Sequence, residues 1–195
     1  MIFHYAGKYD GDESKLPSKE HPPGAVPFKE PEDIKKLSII ANVGCIIVII
    51  ILAVPFGMIG GKYMLGKPVY VTVGCICAML ALIPHEFLHA ICFKEDVYLY
   101  TDLRHGLLFV VGTEDMSKTR FILMSLFPSI VLGLIPYIAF MIHPPLVGFG
   151  FFGLLNLGMG FGDYINVYNA ARQMPRKAKT YLCGMHSFWY LQDRD

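Results

Sequence analysis

Between Phe121 and Gly162 the chain carries no Lys, Arg, Asp or Glu, a run of 42 residues in a protein of 195. At ~1.5 Å of helical rise per residue this run reaches about 63 Å, enough to cross a hydrocarbon core of ~30 Å twice. Leu37 to Gly61 is equally free of those residue types, and Pro68 to Phe93 holds only Glu86. Charged residues make up 17% of the chain, against a usual ~25%, and mean hydropathy is +0.46. This patterning excludes an ordinary soluble domain and a secreted disulfide scaffold. It predicts an all-α polytopic membrane protein.

Four transmembrane helices fit the pattern, at about 37–59, 69–93, 121–142 and 147–168. The proline pair in His143-Pro144-Pro145 divides the long uncharged run, since it suits a tight turn and not a helix interior. Fifteen of the 17 basic residues lie before the first span, between the second and third, or after the fourth. The positive-inside rule then puts both termini and the middle connection in the cytoplasm of a multi-pass cell-membrane protein. The middle connection contains the β-prone runs Val97-Tyr98-Leu99-Tyr100 and Leu107-Leu108-Phe109-Val110-Val111, separated by Thr101 to Gly106. These predict a small cytoplasmic β-hairpin between helices two and three. Residues 1–36, with Pro17, Pro22, Pro23, Pro27 and Pro31, read as a loose polar cytoplasmic tail. Residues 37–171 form the membrane domain, and 172–195 a basic tail with an aromatic strand-like run at Phe188-Trp189-Tyr190. The first apolar run starts too late and is too long for a cleaved signal peptide, so it reads as an anchor that stays. A net charge of +1 gives no basic face for nucleic acid. Four of the five cysteines sit in apolar runs and form no metal or disulfide pattern.

The second span contains His85-Glu86-Phe87-Leu88-His89. Positions i and i+4 share a helix face, so both imidazoles can reach one metal ion, and the glutamate beside the first histidine can address its water. Zinc lowers the pKa of such a water to about 7, and the carboxylate takes the proton as the water attacks a carbonyl. Surface charge accounts for many such matches in soluble chains. Within a membrane span the same three polar residues are costly, which favours a functional site.

A catalytic zinc takes three protein ligands and keeps one position open. The third is expected at similar depth, and the fourth span offers Asp163. Glu86 precedes Lys94 by eight residues and Asp163 precedes Arg172 by nine, so both lie roughly 12–14 Å from the cytoplasmic boundary. Asn156, Asp163 and Asn166 fall on one face of a continuous helix, and Asn166 can orient a substrate carbonyl or stabilise an oxyanion; ordinary interhelical hydrogen bonding is the alternative. Gly158, Gly160 and Gly162 are expected to pack span four closely on span two, not to bind a nucleotide. Pro128 and Pro136 are expected to bend span three and open a path for water. His4, His21, His105, His143 and His186 read as ordinary histidines outside the site.

The order of a membrane-embedded HExxH, a hairpin, a Pro-bearing span and an Asp-bearing span resembles the site-2 protease class of intramembrane zinc metalloproteases. More closely, Pro84 to Ala90, Phe127-Pro128, Gly162-Asp163-Tyr164-Ile165-Asn166 and Pro175-Arg176-Lys177-Ala178 resemble a small bacterial family known as putative zincin membrane peptidases. The likeness covers about residues 69 to 192. It implies a zinc peptidase binding one Zn2+ per chain through His85, His89 and Asp163, with Glu86 as base. One departure is that Gly162 precedes the aspartate and Tyr164 follows it, whereas site-2 proteases commonly have glycine after theirs.

The expected activity is hydrolysis of a peptide bond in a membrane protein or peptide, within or next to the bilayer. The hairpin would offer an edge strand to which an extended substrate adds. Two other readings use the same residues, a non-proteolytic metal-binding relative and a metal-ion transporter. Glu86 disfavours the first, because a structural zinc needs no base. The apolar outer halves of spans two and four disfavour the second.

Overall fold

The computed structural model describes residues 2–31, 34–102 and 107–192. The chain folds into two units, one from residues 31–85 and 126–164 and one from residues 1–30, 86–125 and 165–195.

The first unit is helical, and the helices Leu82–Ala90, Lys118–Pro128 and Phe161–Gln173 each begin in one unit and end in the other. α1 (Ile34–Gly66) is a single helix of 33 residues. Its isoleucines and valines stay largely exposed, Ile50 at 60% and Val54 at 60%, as lipid-facing side chains would be. α2 (Pro68–Leu80) begins at a proline, whose missing N–H costs nothing in a first turn. It stops at Leu80 because the ring of Pro84 would meet the carbonyl four residues back. The chain turns by 44° at Ala81 and resumes as α3 (Leu82–Ala90). α4 (Lys118–Pro128), a π-helical segment Ser129–Leu134 and α5 (Ile135–Ile142) follow one another without a break. Pro128 and Pro136 flank the wide turn, which absorbs the donor that Pro136 lacks. The expected turn at His143-Pro144-Pro145 leads into α6 (Val147–Met159). Gly160 then interrupts the helix before α7 (Phe161–Gln173).

α6 lies at the centre of this unit, with Val147 and Leu154 packed around Phe56, Tyr137 and Phe140. Its closest approach to α2 is glycine on glycine, and a Cβ on Gly74 would stand 2.3 Å from the Gly148 carbonyl oxygen. The glycines expected to face span two do not. Gly158 meets Ile49 of α1, Gly160 meets the Ser129 hydroxyl, and no atom crowds Gly162.

The second unit holds two sheets. β1 (Phe3–Lys8) runs parallel to β3 (Val97–Asp102), which pairs antiparallel with β4 (Leu107–Val111). The β1 register slips between Tyr5 and Gly7, where φ of +87° suits glycine. The other sheet has the order β2-β7-β6-β5, built from Val26–Pro27, His186–Leu191, Ala178–Cys183 and Met116–Ser117. Phe28, Ala90, Phe93, Val97, Met116, Phe121, Met124, Ala170, Met174 and Ala178 form the core.

Three expectations are corrected. The chain is not all-α: seven strands in two sheets stand among the described residues. Nor are there four transmembrane helices. Two helices, Lys35–Gly66 and Lys118–Ile142, are long and apolar enough to cross a membrane, and the bent α2–α3 pair makes a third if it counts as one span. α6 has 13 residues, about 20 Å against a core of ~30 Å, and α7 beyond the break is polar. Finally, the segment expected as a loose tail contributes β1 (Phe3–Lys8) and β2 (Val26–Pro27) to the sheets. The hairpin strands are where they were expected, with a third strand added. Most of the connection between them, residues 103–106, lies outside the described residues, as does His105.

Candidate metal centre

α3 places His85, Glu86 and His89 so that one ligand atom from each lies within 4.8 Å of the others. The helix supplies this directly, because its period brings i, i+1 and i+4 to neighbouring positions. Both histidines are buried, and Glu86 is half-buried.

Two further contacts orient the imidazoles. His89 Nδ1 lies 3.0 Å from the Met124 carbonyl oxygen. A carbonyl only accepts, so Nδ1 carries the proton and Nε2 presents the lone pair, the arrangement a metal-ligating histidine needs. His85 Nε2 lies 3.0 Å from Asp163 Oδ2, with both side chains nearly buried at 11% and 12% exposure. α7 brings the aspartate there from the first turn after the Gly160 break, where the Asp163 amide donates to the Gly160 carbonyl.

The donor set fits zinc. Two imidazoles and a carboxylate on α3, with ligand atoms within 4.8 Å of one another, are of the kind that ion takes, and a second carboxylate, Asp163, adjoins His85. His85, Glu86 and His89 thus form one group on α3, and Asp163 stands against His85. Residues 78–179, just over half of the chain, match the family described as "Putative zincin peptidase". The chain belongs to that family. The match lies within the 69–192 stretch that carried the resemblance in sequence, and it includes His85, Glu86, His89 and Asp163. No curated protein and no solved structure matches the chain. Membership makes the chain a candidate metallopeptidase and implies zinc.

Asn166 is half-buried on α7, three residues beyond Asp163 and on the same face. Asn156 is not part of that face. It lies on α6, beyond the helix break, and its Nδ2 donates to the Phe152 carbonyl at 2.8 Å. The outlying histidines have local partners: His4 with Asp96, His21 with the Tyr181 hydroxyl, and His186 beside Glu13 and Glu30. His143 closes α5, its N–H donating to Ala139.

Sequence reading missed the Met124 carbonyl, because a backbone acceptor has no residue signature. It also missed Glu114 and Arg120, which bind the chain where it leaves α3. A signal was available for Arg120, the last charge before the 42-residue uncharged run.

Proposed function

We propose that this protein is a membrane-embedded zinc metalloendopeptidase that cleaves membrane proteins or peptides in or near the bilayer. His85, His89 and Asp163 would hold one Zn2+, with Glu86 as general base. The observation that carries the reading is the Asp163 carboxylate set against His85 on the helix that bears Glu86 and His89. A structural zinc site has no use for Glu86, which is next to a ligand and is half-buried.

Zinc, when bound, polarises a carbonyl and acidifies water. Glu86 accepts a proton from the attacking water and returns it to the departing amide nitrogen, so that the C–N bond is replaced by C–O and N–H. Asn166 orients the substrate carbonyl from the aspartate's own helix face. Burial of both histidines fixes their rotamers and limits stray water. β3 begins seven residues after Ala90, and the sheet leaves β4 as the edge beyond the hairpin pairing, which supports strand addition by an extended substrate. Proline at β4 positions whose N–H points away from β3 would then slow turnover without loss of zinc. Unimpaired turnover would remove β4 from substrate binding.

Two apolar helices of membrane-crossing length support a place in the cell membrane. The clustering of basic residues supports a multi-pass arrangement with both termini in the cytoplasm.

The test compares wild type with Glu86→Gln in membranes and after purification. Glu86→Gln should retain one zinc per chain, lose hydrolysis, and hold cross-linkable substrate. Wild-type protein devoid of zinc, or Glu86→Gln protein that still cleaves, would overturn the reading.

A further inference from the structure

The chain leaving α3 is bound by two side chains that the peptidase reading does not use. α3 ends at Ala90, and the next turn is closed by Cys92 N–H donating to the His89 carbonyl and Phe93 N–H donating to Ala90, each at 3.0 Å. Beyond it, the Lys94 and Glu95 amides both donate to Glu114 Oε2, at 2.5 and 3.1 Å. The other Glu114 oxygen pairs with Arg120 Nη1, while Arg120 Nη2 donates to the Cys92 carbonyl at 2.6 Å. Glu114 is a buried carboxylate at 6% exposure. Burial would raise its carboxyl, but the Arg120 guanidinium and the two amides outweigh that and hold it below the usual carboxylate range.

Arg120 stands on α4 one turn before Met124, whose carbonyl faces His89 Nδ1. His89 and Cys92 are likewise one turn apart along the chain. α4 therefore grips the metal-bearing segment at two successive rungs, Arg120 on Cys92 and Met124 on His89. All these residues belong to one unit. A rotation of the end of α3 that misplaced the His89 ring would have to break both rungs and strand the buried Glu114 charge, which is costly.

We propose that Glu114 and Arg120 are positioning residues for the metal centre, fixing the end of α3 so that His89 Nε2 is presented to the ion. The proposal rests on the zinc reading given above. It predicts a selective effect, because loss of outer hydrogen bonds around a ligating histidine costs about 10–100-fold in metal affinity.

The experiment uses the full chain in detergent. Zinc affinity is read by chelator competition, ligand geometry by the visible spectrum of the cobalt-loaded protein, and folding by thermal melting of the metal-free form. Arg120→Met and Glu114→Gln should each bind zinc about 10–100-fold more weakly and shift the cobalt spectrum. Glu30→Gln is the control, since it alters a half-buried carboxylate of the same unit, one that accepts from the Ser187 amide. It should bind zinc as wild type does. Glu114→Gln keeps an oxygen for the two amides and carries the test if Arg120→Met does not fold. The proposal fails if both variants bind zinc at wild-type affinity with an unchanged spectrum, if Glu30→Gln weakens binding equally, or if neither variant folds. Wild-type protein that takes up no zinc defeats the peptidase reading itself, whereas zinc-binding wild type with unaffected variants defeats only this inference.

Discussion

The contact between Gly74 and Gly148 sets how closely α2, and with it the start of α3, approaches α6. A Cβ on Gly74 would lie 2.3 Å from the Gly148 oxygen, 3.1 Å from its carbonyl carbon and 3.2 Å from its Cα. Carbon normally approaches a carbonyl oxygen no nearer than about 3.3 Å, so Gly74→Ala demands a separation of about 1 Å along that line. The obstacle is backbone and cannot swing aside. Overpacking of this kind costs about 1–3 kcal/mol. The substitution also gains about 0.8–1 kcal/mol of helix propensity. Gly57→Ala on α1 supplies the reference, because no atom lies within 4 Å of its new Cβ. Both variants make the same chemical change and share the propensity gain, so their difference isolates the clash. Gly57→Ala should be neutral or slightly more stable than wild type, with Gly74→Ala about 1–3 kcal/mol below it. Gly148→Ala would meet the Tyr70 oxygen at 2.7 Å, a smaller overlap, and should fall between them. The double variant should cost less than the two singles together, since one separation of the helices relieves both clashes. Reversible unfolding in mixed micelles measures all four. Equal stabilities for Gly74→Ala and Gly57→Ala would refute the close helix contact.

Asp163→Ala should leave purified protein with far less than one zinc per chain after dialysis against a chelator; full retention would remove Asp163 from the ligand set. Asn166→Ala should keep its zinc and lower kcat by about 10²–10³-fold, the usual loss for one oxyanion donor. Unchanged kcat would return Asn166 to ordinary helix packing. Tyr181 lies outside the apolar helices, and its hydroxyl is pushed up to about 12, first by burial and then by Cys183, Asp115 and Tyr190. Because the folded value exceeds the ordinary 10.0, this stabilisation is complete below about pH 10 and is lost as pH rises through about 12. Tyr181→Phe should remove the last phenolate transition in an ultraviolet titration and soften alkaline unfolding over that window.

The proximity of the candidate residues could be anticipated from sequence because their geometry is local or nearly so. His85, Glu86 and His89 need only the helix period, and Asp163 needed only a count of residues from the nearest basic boundary. Val97–Tyr100 and Leu107–Val111 were legible because β-branched and aromatic residues gather there around a short connection. β1 was not, since Phe3–Lys8 pairs with a strand more than 90 residues away and carries no alternating apolar pattern of its own. β5 and β2 are two residues long and exist only through β6 and β7. The Glu114–Arg120 contact joins residues that lie between the expected hairpin and the expected third span, with nothing in either to announce the other.

The count of four spans failed for a different reason, and that reason bears on the site. Hydropathy measures what a segment gains in lipid and is blind to where a helix must stop. Pro84 and Gly160 stop helices inside long apolar stretches, and each break comes just ahead of a candidate metal ligand. His85 follows Pro84 directly, in the opening turn or so of α3, and Asp163 stands in the first turn of α7. A first turn favours a carboxylate through its unsatisfied amides. A fresh helix start also allows a side chain to be aimed independently of the apolar helix before it. Had α2 run on straight through α3 and α6 through α7, the directions of His85 and Asp163 would have been dictated by the packing of α2 against α6. With the breaks, Gly74 and Gly148 can set the distance between those helices while Pro84 and Gly160 separately set the angles that bring His85 Nε2 and Asp163 Oδ2 to 3.0 Å.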